Sequence, residues 1–528
     1  MKIIKRTTLW IFFLSVLLGS CTTRESNTST AEDREQLFDY IIEKTKTREA
    51  FSPIKNKIMA FDPLEEMMAY REEMIKADTD EELFKVLMKI SNARRDRHLS
   101  ISTIDDGLEI DDSTDLAAPV IFRVDYTGEN NYFLFVGDYA KNISDYTGES
   151  VPAIGDKLIG VNGKSFPDFF DEIRPYTRYS TIKGLWKSVA EEMTLKNHQH
   201  PLSMDNDDIV LELEKSGGET YTVTLPYLEP ESIDWLDTYK SHGENRYSGF
   251  ERLLDRETFD IYISPDHNNL LLIDWYGFRE NLVEDMNFLV DYADENDMLD
   301  YDIIWDGTRS RGGSLGAYAV QRLFPKEFKT TFGNVKISDV IPIFIERREK
   351  AYEQRKDVLD GGVTELLDDG TWLIEWLRTD VTEAIERGDD YSNNVPFKLA
   401  HLPKDSDGII YPAEKHFTGN AVCLFGPHGG SHLDQFASIV IDNKLAYTVG
   451  MSTGGYSNTW EWDEDLVFPI SGKPVVNFMW DIGHTIRPNG EVLEGNPAQV
   501  DKYIPQGRDN YLNYYDLLLD EALSYLNR

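Results

Sequence analysis

The stretch FGPHGGSHLDQFA, residues 425–437, sets Ser431 directly after two glycines and between two histidines. The apolar run NAVCLFG precedes it, and a run with helical patterning follows. That order predicts a strand, a sharp turn and a helix, with Ser431 at the helix start. A helix start offers unpaired N–H groups and the positive end of the helix dipole, both favourable to an oxyanion forming beside a nucleophile. Gly429 and Gly430 allow a sharp turn and a close approach by substrate. An ordinary N-cap serine has the same local signature. His428 and His432 stand four apart with Asp434 nearby, which raises the question of a metal site. A metal pair at i, i+4 needs a helix across both histidines, and the glycine pair breaks it. NHQHP at 197–201 is likewise a loop pattern. No metal site is expected. Paired carboxylates of a glycosidase type are uninformative among 94 acidic residues.

The elements around this stretch alternate. From about residue 260, NLLLIDWYGF reads as a strand, ENLVEDMNFLVDYADE as a helix and YDIIWDG as a strand; a Gly312-Gly313 turn and the helix SLGAYAVQRLF follow. NAVCLFG, SHLDQFASIVID and LAYTVG then repeat strand, helix, strand. Strands alternating with helices predict an α/β fold with a parallel sheet and crossovers. Residues 34–95 read as a small helical bundle. Asp62 is placed to N-cap, Pro63 to open the helix, and Leu83, Val86, Leu87 and Ile90 to form an apolar face. Residues 116–230 read as a mostly β module with a helical insertion, and Asn162-Gly163 signals a tight hairpin. The stretch 326–419 is charged and helix-patterned, compatible with a lid, an inserted subdomain or a decorative helical hairpin.

With 528 residues the chain is long enough for several domains. A formal net charge of -40 disfavours sequence-independent nucleic-acid binding, which needs lysine and arginine to neutralise phosphates. Lys2, Lys5 and Arg6 precede the apolar run LWIFFLSVLLG, the pattern of an export signal. It ends in LGSC, which resembles a lipobox and implies cleavage before Cys21 and lipidation of that cysteine. No other apolar stretch approaches a membrane span, so the expected membrane link is the lipid anchor alone, in the cell envelope. Cys423 is the second of two cysteines and sits in the apolar AVCLF, as a buried thiol would.

Further motifs accompany the serine in chain order: DRHL, GDKLIGVNGK, DIIWDGTRSRGGSLGAYAV, TVGMSTGGY and GEVLEGNPAQVDKYIP. The set resembles the tail-specific (C-terminal processing) serine peptidases, with the tricorn core protease and interphotoreceptor retinoid-binding proteins as relatives. The likeness is good over about 265–325 and 418–505, fair at 82–100 and 150–230, and absent over 326–419. It implies a crotonase-like α/β core, an N-terminal helical part and a PDZ-like module. The corresponding division is a signal peptide 1–20, a tether 21–33, a helical domain 34–100, a PDZ-like β module 101–230 and an α/β peptidase core 231–528 with an insertion at 326–419.

The resemblance also assigns roles. Ser431 falls on the nucleophile of the family's T-x-S-A-x-E-x-x-A pattern, with Asp434 in the acidic slot. Gly312 and Gly313 fall on the Gly-Gly of D-x-R-x-N-x-G-G, where a backbone N–H joins that of His432 as the oxyanion hole. Asp306 keeps its place, while Thr308 and Ser310 replace the family's Arg and Asn. In the Ser-Lys branch a lysine is the base; here TGGYS puts Tyr456 at that position. A phenol with an ordinary pKa of about 10 is a poor base near neutrality. The tricorn-like branch instead uses a histidine and a glutamate, matched here by His98 in DRHL and Glu494 in LEG. Arg97 precedes His98 where relatives can carry an orienting serine.

The expectation is a lipid-anchored serine endopeptidase acting on extended or unfolded polypeptides through Ser431, His98 and Glu494, with no metal or organic cofactor. Two alternatives stand beside it. One is an inactive peptide- or apolar-ligand-binding protein on the same scaffold; the other is a glycan-capturing lipoprotein, for which ten Trp and 27 Tyr speak. The oligomeric state is left open.

Overall fold

The computed structural model describes residues 30–104, 108, 116–129, 131–148, 150–197, 201, 206–238, 247, 249–279, 281–359, 371–396 and 407–527. The export signal, Cys21, most of the tether, and His198 and His200 of NHQHP lie outside the described residues. Among the described residues no helix is long and apolar enough to cross a membrane. The chain mixes helix and sheet in three connected bodies, each with its own core.

The body that carries Ser431 is built on a seven-stranded sheet whose spatial order follows chain order: Glu251–Asp255, Phe259–Ser264, His267–Trp275, Asp302–Asp306, Ala421–Phe425, Tyr447–Gly450 and Lys502–Tyr503. The first three strands pair antiparallel; every later pairing is parallel. Asp302–Asp306 and Ala421–Phe425 are buried at every position, as a parallel strand covered on both faces must be. On one face Trp305 stacks on Phe436, with ring centroids 4.6 Å apart, amid Trp275, Phe278 and Phe425. On the other, the C-terminal helix Tyr514–Tyr525 covers Leu272, Ile304, Val422 and Leu424 with Leu518 and Ala522. Burying each such large apolar side chain contributes roughly 1.5–3 kcal/mol, so this sheet is a rigid floor for the site.

A second sheet joins Val120–Asp125, Phe133–Tyr139, Lys157–Val161, Asp208–Glu214 and Thr220–Pro226 in antiparallel order, with Lys164–Ser165 paired to Lys157–Val161. Asn162 and Gly163 both take positive φ, at 50° and 75°, and close that last hairpin as their sequence predicts. Helices Phe166–Ile173 and Ile182–Glu192 supply Phe169, Leu185 and Val189 to this core.

The third body starts with helices Ala31–Arg48, Pro53–Met59, Pro63–Met68, Arg71–Lys76 and Asp80–Asn92. Asp62 caps as expected, accepting from Leu64 N and Glu65 N, and Leu83, Val86, Leu87 and Ile90 are buried. Their core does not close on itself. It is completed by the long hairpin Asn458–Phe468 and Lys473–Ile486, and by helices Ile341–Leu359, Thr371–Trp376 and Thr382–Arg387. Trp376 stacks on Trp460 and Phe344 meets Trp460 edge-on. The charged stretch 326–419 thus delivers aromatic residues to a core shared by both chain ends. Strand Ile101–Thr103 pairs antiparallel with Lys473–Ile486, Ile101 opposite Phe478. That pairing ties the segment carrying His98 to the hairpin whose exit carries Glu494.

Candidate active site

Ser431 lies between strand Ala421–Phe425 and helix His432–Asp442, at φ 61° and ψ -123°. For a side chain with a Cβ this is a strained conformation, costing about 1–3 kcal/mol unless the surroundings enforce it. They do. Ser431 N–H donates to Tyr456 O at 2.8 Å, and Ser431 O accepts from Asp434 N at 2.9 Å. The glycines before it serve a different purpose from the turn expected of them. Neither Gly429 nor Gly430 has positive φ. Instead, a Cβ at Gly429 would collide with Ser310 O, and one at Gly430 with the Tyr456 ring. Close approach requires the glycines, while the serine itself takes the turn.

His98 and Ser431, 333 residues apart, meet: His98 Nε2 and Ser431 Oγ are 3.1 Å apart. His98 sits between helix Asp80–Asn92 and strand Ile101–Thr103, and its backbone N–H donates to Asp96 Oδ1 at 2.9 Å. The Tyr456 ring meets the imidazole in a T-shaped contact, centroids 5.2 Å apart. One nitrogen of His98 and one oxygen each from Asp96 and Glu494 lie within 4.8 Å of one another. His98 Nδ1 is buried and has no hydrogen-bond partner among the described residues. The Glu494 carboxylate is therefore near His98 but held by other groups. Oε1 accepts from Lys55 Nζ at 3.0 Å, and Oε2 from Ser457 N at 3.1 Å. Ser180 lies beside Glu494, and its Oγ accepts from Arg97 N at 3.0 Å.

Charge in this pocket is uneven. Burial pushes Glu494 up to about 7, with the Asp96 charge adding to the effect against the pull of Lys55. Burial also opposes the charge on Asp96, but Lys55 and His98 outweigh it and hold that carboxyl below its usual range. Asp96 Oδ2 accepts from Asn458 Nδ2 at 2.9 Å. Three ligand-type side chains thus surround a small volume, but the ammonium of Lys55 already supplies its cation. Tyr456, at the position of the lysine in the Ser-Lys pattern, is raised above the usual phenol range by burial, despite Arg97 beside it. It remains neutral and cannot serve as the base.

Gly312 borders the nucleophile. A Cβ there would lie 2.8 Å from Ser431 Cβ, 2.9 Å from Gly430 O and 3.2 Å from His432 N. Its bare Cα leaves room for a substrate oxygen beside the first N–H of the helix. Gly313, at φ 146°, has a separate role: it pairs with Phe278 so closely that a Cβ would overlap the Phe278 carbonyl. The His432 side chain turns into the core. Its Nε2 accepts from Gly316 N at 2.6 Å, and its ring meets Phe278 edge-on. That nitrogen is committed, so the ring of His432 is not the base. Asp434 accepts from the Thr453 hydroxyl, Gly455 N and Tyr456 N, which anchors the loop whose Tyr456 carbonyl holds Ser431.

Sequence reasoning missed Lys55, Ser180, Ser457 and Asn458. Ser457 closes the TGGYS motif but carried no signal of its own there, and the other three stand in no motif; each reaches the site through tertiary contact. Asp96 was visible in DRHL, and its signal was a carboxylate two residues before the histidine.

No family model and no curated protein matches the sequence. Among solved structures, mature CPAF superposes with a TM-score of 0.66 at 14% identity, covering 94% of this chain and 98% of that one. This chain has the fold of mature CPAF. The complex of mature CPAF with lactacystin gives the same score and identity, over 94% and 99% of the two chains. Because 94% of this chain is covered, most of 326–419 belongs to the architecture shared with CPAF, although its sequence showed no likeness to the family. The tricorn protease also matches, at a TM-score of 0.36 and 12% identity over 94% of this chain and 37% of that one, too loosely to add to the fold assignment. These neighbours are serine proteases of the tail-specific group.

Proposed function

We propose that this chain is a serine endopeptidase of the tail-specific family that cleaves extended or unfolded polypeptides. The observation that carries the reading is the 3.1 Å contact between His98 Nε2 and a conformationally strained Ser431 Oγ. His98 Nε2 takes the Ser431 proton as Oγ attacks the peptide carbonyl carbon, and the carbonyl oxygen becomes an oxyanion. Backbone N–H groups of His432 and of the Gly312-Gly313 turn stabilise that charge. The imidazolium then gives its proton to the departing amine, leaving an acyl ester on Ser431. A water that loses its proton to His98 hydrolyses this ester and restores the serine. The negative charge of Glu494 stabilises the imidazolium in both halves. The seven-stranded body is the crotonase-like core in this reading, and the sheet over 120–226 the PDZ-like module that takes an extended peptide by strand addition. Lipidation of Cys21 places the enzyme on a membrane of the cell envelope.

Purified wild type, Ser431→Ala and His98→Ala proteins, incubated with an unfolded polypeptide, test this. Cleavage by wild type and its loss in both variants is expected; equal activity in all three overturns the proposal.

A further inference from the structure

Lys55 and Glu494 form an ion pair of 3.0 Å with side chains only 4% and 3% exposed. Lys55 comes from helix Pro53–Met59, far in sequence from the family motifs. Its Nζ also donates to Arg95 O at 2.9 Å. One turn away, Ser52 Oγ donates to the Glu494 carbonyl at 2.6 Å, and the aliphatic stem of Lys55 packs on Gly495, which takes φ 72°. A single helical turn therefore grips the backbone and the carboxylate of Glu494 together.

The charges facing Lys55 explain why a cation is needed there. Glu49, Asp96, Asp481 and Glu494 are all buried in one region. Against them stand the cations Lys55 and Arg94 and the titratable His98, with Lys336 beside Glu49, its Nζ donating to Glu49 O at 3.0 Å. Arg94 is bonded to Glu49 at 3.1 Å. Lys55 is left to balance Asp96 and Glu494, whose oxygens are within 4.8 Å of each other. Two buried carboxylates that close do not both stay ionised without a cation. An ammonium bonded to a carboxylate and a carbonyl is no general base, so its effect passes through Glu494.

We propose that Lys55 is a positioning residue of the catalytic apparatus, favouring the charged form of Glu494 and fixing it beside His98. The proposal rests on the serine-peptidase reading of the site. Without Lys55, the Asp96–Glu494 pair keeps its proton to higher pH than in wild type, and the imidazolium loses the charge that stabilises it. The rate then recovers only at higher pH, where that proton leaves.

The test is the pH dependence of Ser431 modification by a fluorophosphonate in the full chain. Wild type, Lys55→Met, Lys55→Arg, Glu494→Gln and the Lys55→Met/Glu494→Gln double variant are compared. Lys55→Met is expected to react about tenfold or more slowly at pH 7, with its acid limb moved up by about one pH unit. Lys55→Arg should keep the wild-type limb. The double variant should react no more slowly than Glu494→Gln alone, since Lys55 acts through that carboxylate. The double variant and Lys55→Arg decide the matter if Lys55→Met does not fold. A uniform loss in Lys55→Met with the limb unmoved, or additive losses in the double variant, overturns this proposal alone. Failure of wild type to react overturns the peptidase reading, and the role of Lys55 with it.

Discussion

Ser431 holds a backbone conformation that only its surroundings make affordable, and each surrounding contact is a place where a substitution reaches both the fold and the chemistry. Gly312 is the clearest. A methyl group there would lie 2.8 Å from Ser431 Cβ, 2.9 Å from Gly430 O and 3.2 Å from His432 N, so the backbone of the nucleophile turn must shift to admit it. Gly312→Ala is therefore expected to lower the melting temperature and to slow fluorophosphonate labelling about a hundredfold, the scale of losing an oxyanion contact. Labelling kinetics beside a thermal melt check this. At this scale the motif residues were legible: Ser431, His98 and Glu494 could be named because the family pattern fixes their order. Lys55 could not. It is one of 54 basic residues, its partner is 439 residues away, and no local spacing marks a cation that answers a buried carboxylate. The glycine pair was legible as a requirement but not as to its cause, since close packing against Ser310 and Tyr456 is a tertiary fact.

The elements meet at the site through a few tight loops. The 453–456 loop is held by Asp434, which accepts from one hydroxyl and two backbone N–H groups, and it returns the Tyr456 carbonyl to Ser431 N–H. An amide in place of this carboxylate has one acceptor oxygen, and its NH2 faces donors. Asp434→Asn is expected to lose about 1–3 kcal/mol of unfolding free energy, the cost of leaving buried donors unpaired, and to slow labelling of Ser431 as the serine relaxes. Urea denaturation measures the first effect; an unchanged midpoint contradicts the anchoring role. The strand–helix alternation after residue 260 was legible because both periods are strong there. The contribution of 326–419 was not: Phe344, Trp376 and Leu377 are buried by partners from the N-terminal helices and the C-terminal hairpin, and periodicity within the segment does not reveal which remote surface covers it.

For the whole molecule, an excess of acid within and without governs pH behaviour. Burial raises Glu49, Glu192 and Asp434 each to about 7. A carboxyl whose folded pKa exceeds its unfolded value binds its proton more tightly when folded. Its stabilising effect is full below the unfolded value and is lost as pH rises through about 7. The buried His428, lowered to about 3 chiefly by burial, acts in the opposite direction but mainly below its unfolded value near 6.5. Relief of self-repulsion at a net charge of -40 adds to the carboxyl effect. The melting temperature is therefore expected to be higher at pH 6 than at pH 8; a calorimetric scan showing the reverse contradicts these burial assignments. The central claim also belongs to this scale, because the site exists only where a helical N-terminus, a parallel sheet and a C-terminal turn converge. The most direct test is the intact mass of the protein after fluorophosphonate treatment, followed over time in wild type, Ser431→Ala and His98→Ala. The account predicts a single adduct on Ser431 in wild type, none in Ser431→Ala, and formation about a thousandfold slower or more in His98→Ala. No adduct, an adduct elsewhere, or an unchanged rate without His98 would contradict it.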